Sequence, residues 1–228
     1  MSTDSSITQR AYQELRSDLL TCRLPPGQRI TISRIQKEKG LSQAAVREAL
    51  SRLTAEGLVE IERNAGFRAT PVSTSGFREL AEASMFIEIP CLRSAIELGD
   101  LEWEGRLLAI YHVSSKTLPD VHEGSVDLVH YTNQREAFYD VLLAPCRNQW
   151  LLKAWKQLYI QQMRYRHTFE RLAEYEAGLN DHYRRFIDAV IARDAEQAEA
   201  LCRGQYDNVI GFMESLRLRT GKDSDITG

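Results

Sequence analysis

The sequence predicts a mostly α-helical protein in two parts: a small N-terminal module of three helices and a β-hairpin, then an all-helical bundle. Three observations predict it. Apolar residues recur at helical spacing along most of the 228 residues. Strand-like stretches are confined to "LVEIE" and "GFRAT", between residues 58 and 70. The small, polar, proline-containing segment "TPVSTSG" at 70–76 separates the two parts as a linker would. The division is therefore 1–70, a linker at 71–76, and 77–228.

Each element has its own signals. Ile7, Ala11, Leu15 and Leu19 lie at fourfold spacing and predict a first helix over 7–22, capped by Ser6. "LPPG" at 24–27 breaks it. Thr31 caps a short helix holding Ile32 and Ile35, which ends at Gly40. A three-residue joint leads to a helix over 42–56, with Ser42 as its cap, Gly57 as its stop, and Ala45, Val46, Ala49, Leu50 and Leu53 as its apolar face. "RNAG", between the two extended pieces, suits a hairpin turn. Helix, helix, helix, hairpin is the order of a winged helix-turn-helix. Beyond residue 76, helices are expected near 77–98, 102–117, 124–144, 148–174, 180–193 and 194–218. Pro90 should kink the first of these and Pro145 stop the third.

Charge is distributed unevenly. Residues 1–72 hold 11 lysines and arginines against 8 acids, a balance of +3, while the remainder carries −6. That fits one phosphate-facing part joined to an acidic one, although the overall charge of −3 taken alone argues against a nucleic-acid binder. The cysteines (Cys22, Cys91, Cys146 and Cys202) have no CxxC spacing, so neither a zinc ribbon nor a thioredoxin-type site is indicated. The N-terminus is polar, and no apolar run reaches the roughly 18 residues that span a bilayer. A cytoplasmic protein with reduced thiols and no membrane partner is expected.

The second helix of a helix-turn-helix lies in the major groove with its N-terminal residues at the base edges. Here those residues are Ser42, Gln43, Ala44 and Arg47. Small side chains permit close approach, Gln43 can bond an adenine bidentately, and Arg47 can reach a guanine or a phosphate. Ser33 and Arg34 on the preceding helix, and Arg63, Asn64 and Gly66 at the wing tip, complete the candidate DNA contacts. Against this, "VREAL" also occurs in ordinary helices, where Arg47 would be a solvated charge.

"LRSDLLTCRLPPGQRI" and "VREALSRLTAEGLVEIERNAGFRAT" resemble the N-terminal domain of GntR-family transcription regulators. "REAFYDVLLAPCRNQWLL" and "FIDAVIARDAEQAEAL" resemble the FCD effector domain of the FadR subfamily. The resemblance implies a homodimer on a short palindromic operator of double-stranded DNA. It also implies a small organic ligand, often a carboxylate, that alters DNA affinity. One departure is Ser42-Gln43-Ala44-Ala45, where the family usually has Ser-Arg-Thr-Pro, so a common DNA-touching arginine is replaced by Gln43.

A second departure concerns the metal that many FCD domains hold. Alignment on the family's pattern puts Arg135, Tyr139, Tyr183 and Gln205 at the ligand positions, and Ser84 where an arginine often holds a carboxylate; a one-residue slip would restore His182 as a ligand but leave Gly204 at the last position and the first pair unchanged. Cationic and neutral groups of this kind are poor ligands for zinc or nickel. No metal and no cofactor are therefore expected. Arg135 would instead supply the positive charge of an effector site, with Tyr139, Tyr183 and Gln205 as its walls. The pairs His167/Glu170 and Asp127/His130 are spaced for a metal or acid–base site but read more simply as solvated helix faces. Trp150, Trp155, Tyr159, Tyr165 and Phe169 share one long helix and read as core or dimer packing. No phosphate loop, nucleophile elbow or HExxH motif supports an enzyme. The expected function is a ligand-controlled, repressing transcription regulator. The alternative is a regulator whose helical part serves only dimerisation or protein contacts.

Overall fold

The structure, a computed structural model, describes residues 2–62, 66–122, 128–168 and 179–220. It divides into two units. The first holds the residues up to Gly76 together with Met163–Thr168, and the second holds Phe77–Gln162 and the described residues from 179 on.

In the first unit the helices are α1 (Ser2–Leu20), α2 (Ile32–Lys39) and α3 (Gln43–Ala55). The strands are β1 (Arg29–Ile30), β2 (Val59–Glu62) and β3 (Gly66–Ala69). α1 begins at Ser2, so Ser6 lies inside the helix and does not cap it. Thr31 does stand at the N-cap of α2, but its side chain makes no capping bond. Gly40 ends α2 at φ 65°, a left-handed conformation that glycine adopts without strain. Ser42 caps α3 by accepting from the Ala45 amide at 3.2 Å. Ala11, Leu15 and Leu19 of α1 and Ala49, Leu50 and Leu53 of α3 are buried, forming the hydrophobic centre of the unit. Truncating one such leucine to alanine costs about 2–5 kcal/mol.

β2 and β3 pair antiparallel with Val59 opposite Ala69 and Glu62 opposite Gly66. β1, which the sequence reading missed, pairs with the other side of β3 and makes the order β1-β3-β2. The end of the fourth long helix of the second unit (α7, below) belongs to this first unit. There Arg164 is almost fully buried and donates to the Thr70 carbonyl, while the Tyr165 hydroxyl receives the Ser73 amide at 3.5 Å.

The second unit is built from α4 (Thr74–Leu98), α5 (Leu101–His122), α6 (Leu128–Leu142), α7 (Gln149–Thr168), α8 (Leu179–Ile191) and α9 (Ala195–Thr220). α4 starts three residues earlier than expected, because the Ser73 hydroxyl caps it by accepting from the Gly76 amide at 3.1 Å. Residues 74–76 of the expected linker are thus helical. Asp100, Asn148 and Asp194 cap α5, α7 and α9 in the same way. Pro90 lies within α4 and is exposed, so water can satisfy the carbonyl its missing N–H leaves unbonded.

Gly99 makes room for Trp103, whose ring would lie 2.1 Å from any Cβ there. The Trp103 indole in turn donates to the Val141 carbonyl at 2.8 Å and fixes α5 on α6. Arg193, at φ 60° between α8 and α9, closes the end of α4 by donating to the Ile96 and Gly99 carbonyls. Four of the long helix's five expected aromatics lie among described side chains. Trp155, Tyr159 and Tyr165 are buried, but Trp150 is 80 % exposed and is no part of this core. Phe169, and the pairs His167/Glu170 and Asp127/His130, fall wholly or partly outside the described residues. No disulfide joins any two of the four cysteines. No helix among the described residues is long and apolar enough to cross a membrane.

Candidate DNA interface and ligand site

α3 is amphipathic in a specific sense. Its inner face is the buried Ala45, Val46, Ala49, Leu50 and Leu53, so Ser42, Gln43, Ala44, Arg47 and Glu48 point outward together at its N-terminal half. Arg52, further along, is held over the Tyr12 ring at 4.0 Å and bonds Gln9 at 3.1 Å. Tyr12 also donates to Glu56 at 2.5 Å, and burial pushes its phenol up to about 12. Arg52 is therefore committed to α1, and Arg47 is the cation that α3 presents.

On α2, Ser33 is exposed, and Arg34 is exposed and paired with Glu38 at 2.7 Å. Gly66 opens β3 at φ 95° with open space around it, so the need for glycine there is conformational. Arg63 and Asn64 lie outside the described residues. Ser42 and Gly66 each have a structural duty that does not involve DNA.

The helical unit encloses a polar cluster. Arg135 of α6 is buried and donates to the Tyr131 hydroxyl at 3.2 Å and the Tyr183 hydroxyl at 2.7 Å. Its guanidinium also lies 5.7 and 5.5 Å from the centres of those two rings. The two side chains that the alignment placed on different helices are thus directly bonded. Tyr139, one turn beyond Arg135, turns its ring onto Trp155 and Tyr159, at 5.5 and 5.1 Å between centroids. Burial, reinforced by Tyr183 and the Glu88 carboxylate, holds its phenol well above the usual range, with Arg135 opposing. Gln205 on α9 has both its amide atoms buried without a hydrogen-bond partner among the described residues. Neither atom is hydrogen-bonded to Arg135, Tyr139 or Tyr183. Ser84 is buried and bonds back to the Leu80 carbonyl at 2.7 Å.

Sequence reasoning missed Glu88, one turn beyond Ser84. It is 4 % exposed and accepts from Trp155 Nε1 at 3.1 Å, the Tyr206 hydroxyl at 2.7 Å and Cys202 Sγ at 3.6 Å. Burial first, and Glu88 next, raise both the Tyr206 phenol and the Cys202 thiol well above their ordinary values. The available sequence signal was only its i, i+4 relation to Ser84.

A small cavity of about 30 Å³ adjoins Arg135 and Tyr183 and is lined also by Tyr111, Ser114, Tyr131 and Phe138. Tyr139 and Gln205 do not line it.

Residues 7–68 match the family described as bacterial regulatory proteins, gntR family, and residues 79–208 match the FCD domain. The chain is a GntR-family transcription regulator. The HTH-type transcriptional regulator BphR of Paraburkholderia xenovorans (strain LB400) is 30 % identical over 221 residues, covering 93 % of this chain and 87 % of that protein. The HTH-type transcriptional repressor GlaR of Escherichia coli (strain K12) is 28 % identical over 197 residues, 84 % of this chain and 89 % of that one. Among solved structures, E. coli McbR/YncC superposes with a TM-score of 0.73 at 19 % identity, covering 92 % of this chain and 98 % of that one. A GntR regulator from Rhodococcus sp. RHA1 gives 0.72 at 18 %, with the same coverage. These two likenesses concern the fold.

This GntR regulator binds DNA and is not an enzyme. Many FCD domains hold a metal, and the donor set here does not fit one. Arg135, which the resemblance aligns with one ligand position, is bonded to Tyr183, which it aligns with another. His182, beside it, is half-buried, and burial together with Arg185 lowers its affinity for a proton. Among the described residues no group of three or more histidine, cysteine or acidic side chains comes together.

Proposed function

We propose that this regulator acts in the cytoplasm as a homodimer on a palindromic operator, represses transcription, and is released or tightened by a small organic carboxylate in the helical unit. The observation that carries the ligand reading is Arg135, a buried cation braced by two tyrosine hydroxyls at the edge of a cavity. A guanidinium bonds a carboxylate through two parallel N–H donors, so a carboxylate is the small ligand that Arg135 would hold best. Dimeric binding follows from the way two recognition helices address half-sites one helical turn apart. Repression is supported by similarity to a chain named as a repressor. The DNA contacts in this reading are Gln43, Ala44 and Arg47, with Ser33, Arg34, Ser42, Arg63, Asn64 and Gly66 around them.

One observation favours a second reading. The cavity is far smaller than the several hundred Å³ usual for ligand pockets, which suits a helical unit that only dimerises or contacts a protein. Gel shifts on an operator selected from randomised DNA, repeated with a panel of organic acids, decide between them. A change in operator affinity with one acid, lost in Arg135→Gln, supports ligand control. Affinity indifferent to every acid supports the second reading.

A further inference from the structure

We propose that Glu48 on α3 is a specificity residue for DNA, its carboxylate accepting from a cytosine in the major groove. The inference deepens, and rests on, the reading of the outer face of α3 as the surface that meets DNA.

α3 buries Ala45, Val46, Ala49, Leu50 and Leu53, and at about 100° per residue Ala44, Glu48 and Ser51 fall on the opposite side, all exposed. Ala44 and Ser51 are short, so Glu48 is the side chain that reaches furthest from this side of the helix.

The acid is also uncommitted. Its neighbours at i−4 and i+3, Ala44 and Ser51, carry no charge. Arg52, at i+4, is held by the Tyr12 ring at 4.0 Å and by Gln9 at 3.1 Å. Arg47 is adjacent in sequence, and consecutive helix residues do not face each other. Among the described residues Glu48 makes no hydrogen bond or ion pair. The other acids of the first unit with described side chains are engaged within it. Glu14, Asp18, Glu38, Glu56 and Glu62 pair with lysines or arginines, and Glu60 favours the charge of Arg164.

Duplex DNA carries one negative charge per about 1.7 Å of its length, so a free carboxylate on the face that meets it weakens binding to every sequence. That repulsion is offset only where the groove offers a hydrogen-bond donor, because a carboxylate is acceptor-only. Guanine presents acceptors in the major groove, thymine an acceptor and a methyl group, and adenine an acceptor beside its amino group. Cytosine presents its N4 amino group alone, so it is the base from which Glu48 can accept without facing an opposing lone pair. Glu48 thus acts by penalising other sequences, while Arg47 beside it supplies attraction.

Selection from randomised DNA is run on the full chain, on Glu48→Ala and on Glu48→Gln. A G·C pair fixed in each half-site by the unmutated chain should become degenerate with Glu48→Ala and turn to A·T with Glu48→Gln, because glutamine pairs with adenine. In gel shifts, replacing that pair by A·T in both half-sites should weaken the unmutated chain about tenfold or more, and Glu48→Ala less than twofold. Both variants should bind unrelated DNA at least threefold tighter at low salt, with the gain fading as salt rises, and neither should melt at a lower temperature. Identical selected operators for all three proteins, unrelated DNA bound no tighter by the variants, or a lowered melting temperature in both overturns the proposal. Arg47→Ala separates that failure from failure of the reading beneath it. Weakened operator binding by Arg47→Ala beside unaltered Glu48 variants refutes the cytosine contact alone, whereas unaltered binding by all three variants refutes the assignment of this face to DNA.

Discussion

Replacing Arg47 by alanine should weaken operator binding without weakening the fold. Arg47 is exposed on α3, and alanine is the best helix former, so the stability of the unit should be unchanged or slightly higher. Its neighbour Arg52 cannot compensate, because it is held at the Tyr12 ring and Gln9. A base contact is worth about 1–3 kcal/mol, so that is the loss expected per half-site, and the proposed dimer would lose it at both. The assay is a set of gel shifts across a range of salt concentrations, on the operator and on unrelated DNA. Loss confined to the operator assigns Arg47 to a base. Equal loss on both, with a salt slope shallower by roughly one unit per contact, assigns it to phosphate. Arg52→Ala is the control and should leave base preference untouched. Unchanged affinity of Arg47→Ala would refute the assignment of the outer face of α3 to DNA.

Gln43→Arg should move base preference toward guanine at one position in each half-site, because arginine pairs bidentately with guanine where glutamine prefers adenine; selection from randomised DNA on both proteins checks it. Glu88→Ala should lower stability by about 2–6 kcal/mol, since Trp155 Nε1 and the Tyr206 hydroxyl each lose a buried acceptor at about 1–3 kcal/mol, measured by denaturant unfolding. His182 is lowered in the folded state, so the unfolded chain takes up its proton first as pH falls. Its contribution to stability is complete above about 6.5 and is lost as pH falls below it, and His182→Gln should flatten the decline between pH 7 and 5. Elemental analysis of protein purified without added metal should find no stoichiometric zinc, nickel or manganese; near-stoichiometric metal that disappears in a His182 variant would show the donor set to be misassigned.

The first unit was legible because its signals are local. The Ser42 cap, the Gly40 and Gly57 stops and the apolar face of α3 are all written within one helix and its flanks. β1 was not legible, because two residues carry no alternation and become a strand only by pairing with β3. The start of α1 was misplaced because Ser6 looks like a cap wherever helical spacing happens to begin. In the second unit periodicity located the helices but could not tell a solvated charge from a buried one. Glu88 reads as a surface acid, and its burial is decided by Trp155 and Tyr206, far away in sequence. Arg135 and Tyr183 were selected by resemblance to the FCD domain. Their direct bond could not be read from the chain, because it depends on how α6 and α8 lie side by side.

The three tryptophans (Trp103, Trp150 and Trp155) all fall in the second unit, and the first has none. Tryptophan fluorescence, excited selectively at wavelengths where tyrosine does not absorb, is therefore a probe of the helical unit alone, whereas circular dichroism sees both units. Within that unit the three fluorophores differ: Trp103 and Trp155 are buried and hydrogen-bonded, while Trp150 is solvated and within reach of acrylamide. Emission from the buried pair should shift to the red when the helical unit unfolds. Coincident fluorescence and dichroism transitions mean that the two units unfold as one cooperative body, and separated transitions mean that they do not. The gap between the two curves thus measures the thermodynamic coupling that any ligand control of DNA binding must use, and no label has to be introduced to see it.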